Sequence, residues 1–219
     1  MCRATKNFRN FQLKFMGWIA IMIAPVVAVI TTAVHGLPFP ASISETGTIA
    51  NRVSPVLPFA LGTLALFALS YAIYLAYDAL DAAVTFLMAA GFIFVAVFPI
   101  ASQYVVDERI GLFAVSHELS NALHYAGALT GFAAMTVWVG VCFRRSSYSK
   151  INQTPEKRIR NVLYAVTTVF MIIAVALFAA HVFGLFGDNS PSMFAAQAVL
   201  LTSSGVSILV KGGVALVDR

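Results

Sequence analysis

Charge is what this chain has least of. Asp, Glu, Lys and Arg supply 11% of its 219 residues, while 60% are hydrophobic. Soluble domains carry about 25% charged residues, so this scarcity excludes an ordinary water-soluble globule. A mean hydropathy of +0.86 agrees. Cysteine is nearly missing as well, with Cys2 and Cys142 as the whole complement. Both fall on the side assigned below to the reducing cytoplasm, so no disulfide is expected. Cys142 reads first as a small apolar residue and second as a palmitoylation site beside a membrane. No stretch has the roughly ten-residue apolar–polar alternation of a membrane barrel. Phosphate-cradling loops, nucleotide fingerprints, HExxH pairs and nucleophile elbows are absent too.

Long apolar runs are what the chain does have. Six lie near Phe15–Val34, Val56–Tyr77, Ala79–Ala101, Leu119–Phe143, Val162–Leu185 and Met193–Val210. About 20 residues rising 1.5 Å each cross a hydrocarbon core of roughly 30 Å. Only helices and closed barrels satisfy every backbone hydrogen bond in lipid. The expected fold is an all-α integral membrane protein, a single six-helix transmembrane domain spanning residues 1–219. Arg3, Lys6, Arg9 and Lys14, ahead of the first run, resemble the n-region of a signal peptide. That run exceeds the roughly 7–15 residues of a signal segment and lacks a convincing small-residue cleavage site, so it reads as a retained first span.

Lys and Arg accumulate in short cytoplasmic loops. Twelve of the 14 fall on one predicted side: the N-terminal tail, the segment Arg144–Arg160, and Lys211 with Arg219. Arg52 and Arg109 fall on the other. Both termini are therefore expected in the cytoplasm, with a basic cytoplasmic loop over 144–160. The pI near 9.4 then reflects topology. The basic loop reads first as a solvated segment and second as a contact for anionic lipid heads; no nucleic-acid partner is expected. Asn152-Gln153-Thr154 matches a glycosylation acceptor but lies on the wrong face to be used. The compact loops point to a bacterial plasma membrane.

Most of the remaining chemistry gathers on the opposite, outer side. His35, His117, His124 and His181 all fall at or near that boundary, with Glu45, Asp107, Glu108, Glu118 and Asp188. His117 and His124 are two helical turns apart and share a stripe with Ser120 and Asn121. Ionisable groups inside spans face the bundle interior or a water-filled cavity. Three readings stand side by side: hydrogen bonding between helices; a zinc site drawing on His35, His117, His124 and His181; and recognition or acid–base chemistry on a lipid headgroup. Elsewhere, Gly127 and Gly131 form a G-x-x-x-G that admits a close helix, with homo-oligomerisation as one use. Pro99 bends or ends the third span. Ser203, Ser204 and Ser207 are interhelical donors, Trp18 and Trp138 interfacial anchors, and Asp78 and Asp81 mark a tight turn.

Between the first two runs lies the polar segment PFPASISETGT, residues 38–48. Its hydroxyls can cap backbone groups in turns, and Gly47 permits positive φ. The stretch SISETGT resembles the I-S-[DE]-T-G-T signature of the damage-regulated autophagy modulator (DRAM) family. That group belongs with membrane proteins implicated in remodelling glycosylphosphatidylinositol lipids. HYAGA, His124 to Ala128, resembles the start of the family's fourth span, and with Phe98-Pro99 it also resembles a bacterial family of six-span proteins. The resemblance extends over most of the chain in layout, with motifs in some twenty residues. It implies membrane-lipid handling, with Ser42, Ser44, Glu45, Thr46, Gly47 and Thr48 as the signature loop facing His124. The expected arrangement is a polar cap over a cavity between helices one, four and five, with Glu45 facing His124 or His181. The expected ligand-binding set is Ser42, Ser44, Glu45, Thr46, His117, Glu118, His124 and His181. The leading expectation is a protein that binds, senses or helps remodel membrane lipid. The alternatives are an intramembrane lipid hydrolase or acyltransferase, zinc-dependent in one form, and a small transporter.

Overall fold

The computed structural model describes residues 3–51, 55–101, 108–145, 153–185 and 192–216. Within them lie six helices long and apolar enough to cross a membrane. They are α1 (Arg3–Val29), α2 (Val56–Tyr74), α3 (Ala79–Val97), α4 (His117–Val137), α5 (Pro155–Val182) and α6 (Ser192–Lys211). Each of the shortest, α2 and α3, has 19 residues, about 28 Å at 1.5 Å per residue. A two-residue hairpin, β1 (Arg109–Ile110) with β2 (Val115–Ser116), precedes α4. Cys2, Arg52, Asp107, Asn152, Asp188 and Arg219 lie outside the described residues.

Local chemistry explains where several helices stop and start. α1 carries Pro25 in its interior, which removes one ladder hydrogen bond. Directly after Val29 it widens into a π segment, Ile30–Val34, within which Thr31 and Thr32 bond back to Val27 and Ala28. α4 ends in the same way, in the π segment Trp138–Cys142. α5 begins at Pro155, seven residues before the apolar run, because Thr154 accepts the Lys157 N–H and Pro155 occupies the first turn. Lys157, Arg158 and Arg160 are therefore helical, and the expected basic loop over 144–160 is shorter than its charge suggests.

The helices form two sets, α2–α3–α4 and α5–α6–α1, closed on each other through thinner α1–α2 and α4–α5 seams. Each set holds one crossing at glycine. A Cβ on Gly91 of α3 would lie 2.5 Å from the Gly131 nitrogen and 2.6 Å from the Gly127 carbonyl oxygen of α4. On the other side, a Cβ on Gly205 of α6 would lie 2.7 Å from the Gly17 oxygen of α1. Such backbone approach is the main source of helix attraction in lipid, where burial of apolar surface gives little. The stripe of Gly127 and Gly131 thus meets α3 of the same chain.

Outside the core, large apolar side chains face outward. Phe59, Leu66 and Ile73 on α2 and Val162, Val166, Val169 and Ile173 on α5 are exposed along helical stripes, a surface that suits acyl chains and not water. Trp18 is also exposed, but Trp138 is fully buried. The expectation of two interfacial tryptophans holds for neither depth nor contact at Trp138, for the reason given below.

At the basic end, Asp78 caps α3 by accepting the Asp81 N–H at 2.9 Å. It also takes a forked ion pair from Arg145, just past α4, at 2.6 and 3.1 Å. The Asp81 N–H, then Arg145, hold the Asp78 carboxyl below the usual carboxylate range.

The glycine crossings make a direct prediction. Gly91→Ala should destabilise the folded protein by roughly 1–3 kcal/mol, because its methyl meets backbone that cannot rotate away. Gly62→Ala on α2, with nothing within 4 Å of its Cβ, should be neutral or stabilising by up to about 1 kcal/mol. Thermal unfolding of both variants in detergent compares them; equal behaviour would contradict the crossing.

Candidate functional site

The end of α3 sets up the polar face opposite the basic end. Pro99 disfavours helical dihedrals at the residue before it, and Phe98 is extended at φ −109° and ψ 93°. The carbonyls that follow α3 therefore leave the helical ladder inside an apolar bundle. Side chains meet them in order. The Phe98 oxygen lies 2.7 Å from His124 Nδ1. Ser120 Oγ donates to the Pro99 oxygen at 2.6 Å. Thr48 Oγ1 donates to the Ile100 oxygen at 3.1 Å. Asn121 Oδ1 then accepts the Ala101 N–H at 2.7 Å.

Residues 38–51 lie across this end, and Ser44–Asn51 form a 3₁₀ helix. Ser42 Oγ accepts the Glu45 N–H at 3.0 Å, and Glu45 Oε2 accepts the Ala41 N–H at 3.2 Å. This is a capping-box exchange reaching one residue further back than usual. It corrects the expectation for Glu45, whose carboxylate serves its own turn. The residue that meets His124 is the preceding one, Ser44, with its Oγ 2.9 Å from His124 Nε2. Gly47 departs from expectation as well. It is absent from the positive-φ residues, and its Cβ would make only an ordinary contact with Leu57 at 3.8 Å.

The tautomer of His124 follows from its neighbours. A backbone carbonyl can only accept, so Nδ1 carries the proton and donates to Phe98. Nε2 is then a bare acceptor for the Ser44 hydroxyl. Gln197 on α6 donates from Nε2 to Ser44 Oγ at 3.2 Å, and its Oε1 accepts the Ile43 N–H at 2.6 Å. The result is a directed chain from Gln197 through Ser44 and His124 to Phe98. His124 is 1% exposed, Gln197 3% and Ser44 8%. Thr46, also buried, donates to the Ile43 oxygen at 2.6 Å and shapes the turn that holds Ser44.

The other expected site residues are elsewhere. His117 begins α4 half-buried, beside exposed Glu118, and His35 is exposed at the end of α1. His181 is half-buried near the end of α5, with its Nδ1 shielded and unbonded among the described residues. Among those residues no three His, Cys, Asp or Glu side chains come together as a metal site. The histidines come from the end of α1, from α4 and from α5, and no three of them gather into such a site. Ser207 does bond across helices, to Thr167 at 2.8 Å, whereas Ser204 bonds within α6.

Two buried residues lie outside the expected site set. Gln197 is the one amide in the sixth apolar run, a signal available from the cost of a polar group in a span. Asp81, expected in a turn, is the other. It is 3% exposed and accepts from Trp138 Nε1 at 2.7 Å, Tyr71 Oη at 3.1 Å and the Tyr77 N–H at 2.9 Å. Trp138 is therefore drawn inward by a carboxylate, which overrides an interfacial position.

Asp81→Asn should lower stability by roughly 1–3 kcal/mol, because an amide NH₂ would replace one acceptor oxygen and face either Trp138 or the Tyr71 and Tyr77 donors. Acrylamide quenching of tryptophan fluorescence should rise in this variant as Trp138 loosens. Unchanged quenching and unfolding temperature would contradict the role assigned to Asp81. No family model, curated protein or solved structure matches this chain.

Proposed function

We propose that this membrane protein handles lipid at the face bearing residues 38–51, with Ser44 and His124 acting as an acyl-transfer pair on an ester-linked lipid. The observation that carries this reading is the directed hydrogen-bond chain. Ser44 Oγ stands 2.9 Å from a histidine nitrogen that is oriented by a third group, the Phe98 carbonyl. Nucleophile, base and orienter are the parts that covalent acyl transfer requires. The resemblance of SISETGT and HYAGA to lipid-handling membrane proteins supports the substrate class.

In this reading His124 Nε2 takes the Ser44 proton as Oγ attacks the ester carbonyl. The tetrahedral species collapses to acyl-Ser44, and the departing alkoxide takes the proton back from Nε2. A second hydroxyl, from water or another lipid, repeats the steps in reverse and frees Ser44. The Phe98 carbonyl keeps Nδ1–H in place throughout, and the Gln197 amide donates to the attacking oxygen, Ser44 Oγ, and holds it toward His124. Ser44 is buried, though slightly less so than His124 or Gln197.

A second reading is favoured by the burial itself: the same contacts form a lock that ties residues 38–51 to α3, α4 and α6. A fluorophosphonate probe on purified protein in nanodiscs separates the two. Acyl transfer predicts an adduct on Ser44 by mass spectrometry, absent in Ser44→Ala and slowed by about 10²–10⁴-fold in His124→Gln. No adduct on wild-type Ser44, with Ser44→Ala merely losing roughly 1–3 kcal/mol of stability, would leave the lock alone.

A further inference from the structure

At the opposite end, a second concentration of chemistry is unrelated to the Ser44–His124 chain. A cavity of about 230 Å³ opens between the start of α1, the start of α5 and the end of α6. Lys6 and Arg9 line it from α1, Lys157 and Arg160 from α5, and Lys211 from α6. None of its described lining residues is acidic, and Tyr164 and Asn10 add a hydroxyl and an amide. The ammonium groups of Lys157 and Lys211 converge on one acceptor, the Phe143 carbonyl oxygen, at 3.1 and 3.4 Å. Lys211 also lies over the Phe143 ring, 5.2 Å from its centroid. Arg160 donates to the Leu216 carbonyl, and with Lys6 and Arg9 it brings the cations around the cleft to five. Five cationic side chains around one small cavity suit a ligand of opposite charge.

The neighbouring basic groove differs. It is lined by Arg144, Arg145 and Arg158, but Arg145 is already paired with Asp78 at 2.6 Å. Size narrows the ligand for the first cleft. Its volume falls below the roughly 300–1,000 Å³ of pockets for drug-sized molecules, so it accommodates a compact polar group. Basic pockets between helices at a membrane boundary suit phosphate-bearing headgroups, and ammonium and guanidinium donors match phosphate oxygens.

We infer that the cleft between α1, α5 and α6 is a phosphate-binding site, filled by the phosphate monoester of an anionic lipid headgroup or by a free phosphate. The test uses full-length protein in phosphatidylcholine nanodiscs with and without phosphatidic acid, and separately with inorganic phosphate added in solution. Native mass spectrometry and thermal unfolding read binding. A retained phosphatidic acid adduct identifies the headgroup as the source, and stabilisation by inorganic phosphate alone identifies the free ion. Lys6→Gln with Arg9→Gln, at the exposed and half-buried positions of the cleft, should weaken binding by roughly 25-fold, at about fivefold per cation. Arg144→Gln with Arg158→Gln removes the same charge outside the cleft and should change affinity by less than about twofold. Lys211→Met tests the cleft floor, and protein that still folds should lose the phosphate-induced stabilisation. Binding of neither probe, or equal weakening by the two double variants, would overturn the site.

Discussion

Three carbonyl groups at the end of α3 organise the face that carries the candidate chemistry. Inside lipid an unsatisfied backbone acceptor costs several kcal/mol, and Pro99 turns the chain out of its helix where no water need reach. His124, Ser120 and Thr48 each supply a donor to Phe98, Pro99 and Ile100 in turn. Satisfying those groups fixes the rotation of α4 against α3, the tautomer of His124, and through Ser44 the seat of residues 38–51. The same ring nitrogen arrangement that stabilises the fold creates a serine–histidine pair, so stability and candidate function share one set of atoms.

The rest of the bundle follows a related logic with different parts. Helices in lipid gain little from apolar burial, so they approach where glycine removes side chains or where polar atoms meet across an interface. Gly91 with Gly127 and Gly131 joins α3 to α4, and Gly17 with Gly205 joins α1 to α6. Polar contacts then bridge the sets: Ser44 with Gln197 at one end, Phe143 with Lys157 and Lys211 at the other, and Gln12 with the Phe67 carbonyl between them. Glycine crossings hold each set together, and hydrogen bonds tie one set to the other.

Much of the fold was legible from hydropathy because each span is a continuous apolar run. Its ends were less so. Thr154-Pro155 and Ser116 start helices through capping, which apolarity does not register. Pro99 was readable as a terminator, but the three carbonyls it frees, and their donors, appear only when α3 and α4 pack. Glu45 illustrates competition between ranges. A partner four residues away requires little chain ordering, so Glu45 closes its own turn and leaves the distant histidine to Ser44. Asp81 looked like a turn residue because its nearest neighbour, Asp78, is one. Its partner Trp138 lies 57 residues away, and no local pattern signals that contact.

His124 is held by a carbonyl at Nδ1 and presents a bare Nε2 to Ser44. Solid-state ¹⁵N spectroscopy of protein labelled at histidine, in lipid bilayers, with His124→Gln used to assign the signal, observes this directly. The account predicts a protonated Nδ1 and an unprotonated, hydrogen-bond-accepting Nε2 at neutral pH. A proton resident on Nε2 would contradict it.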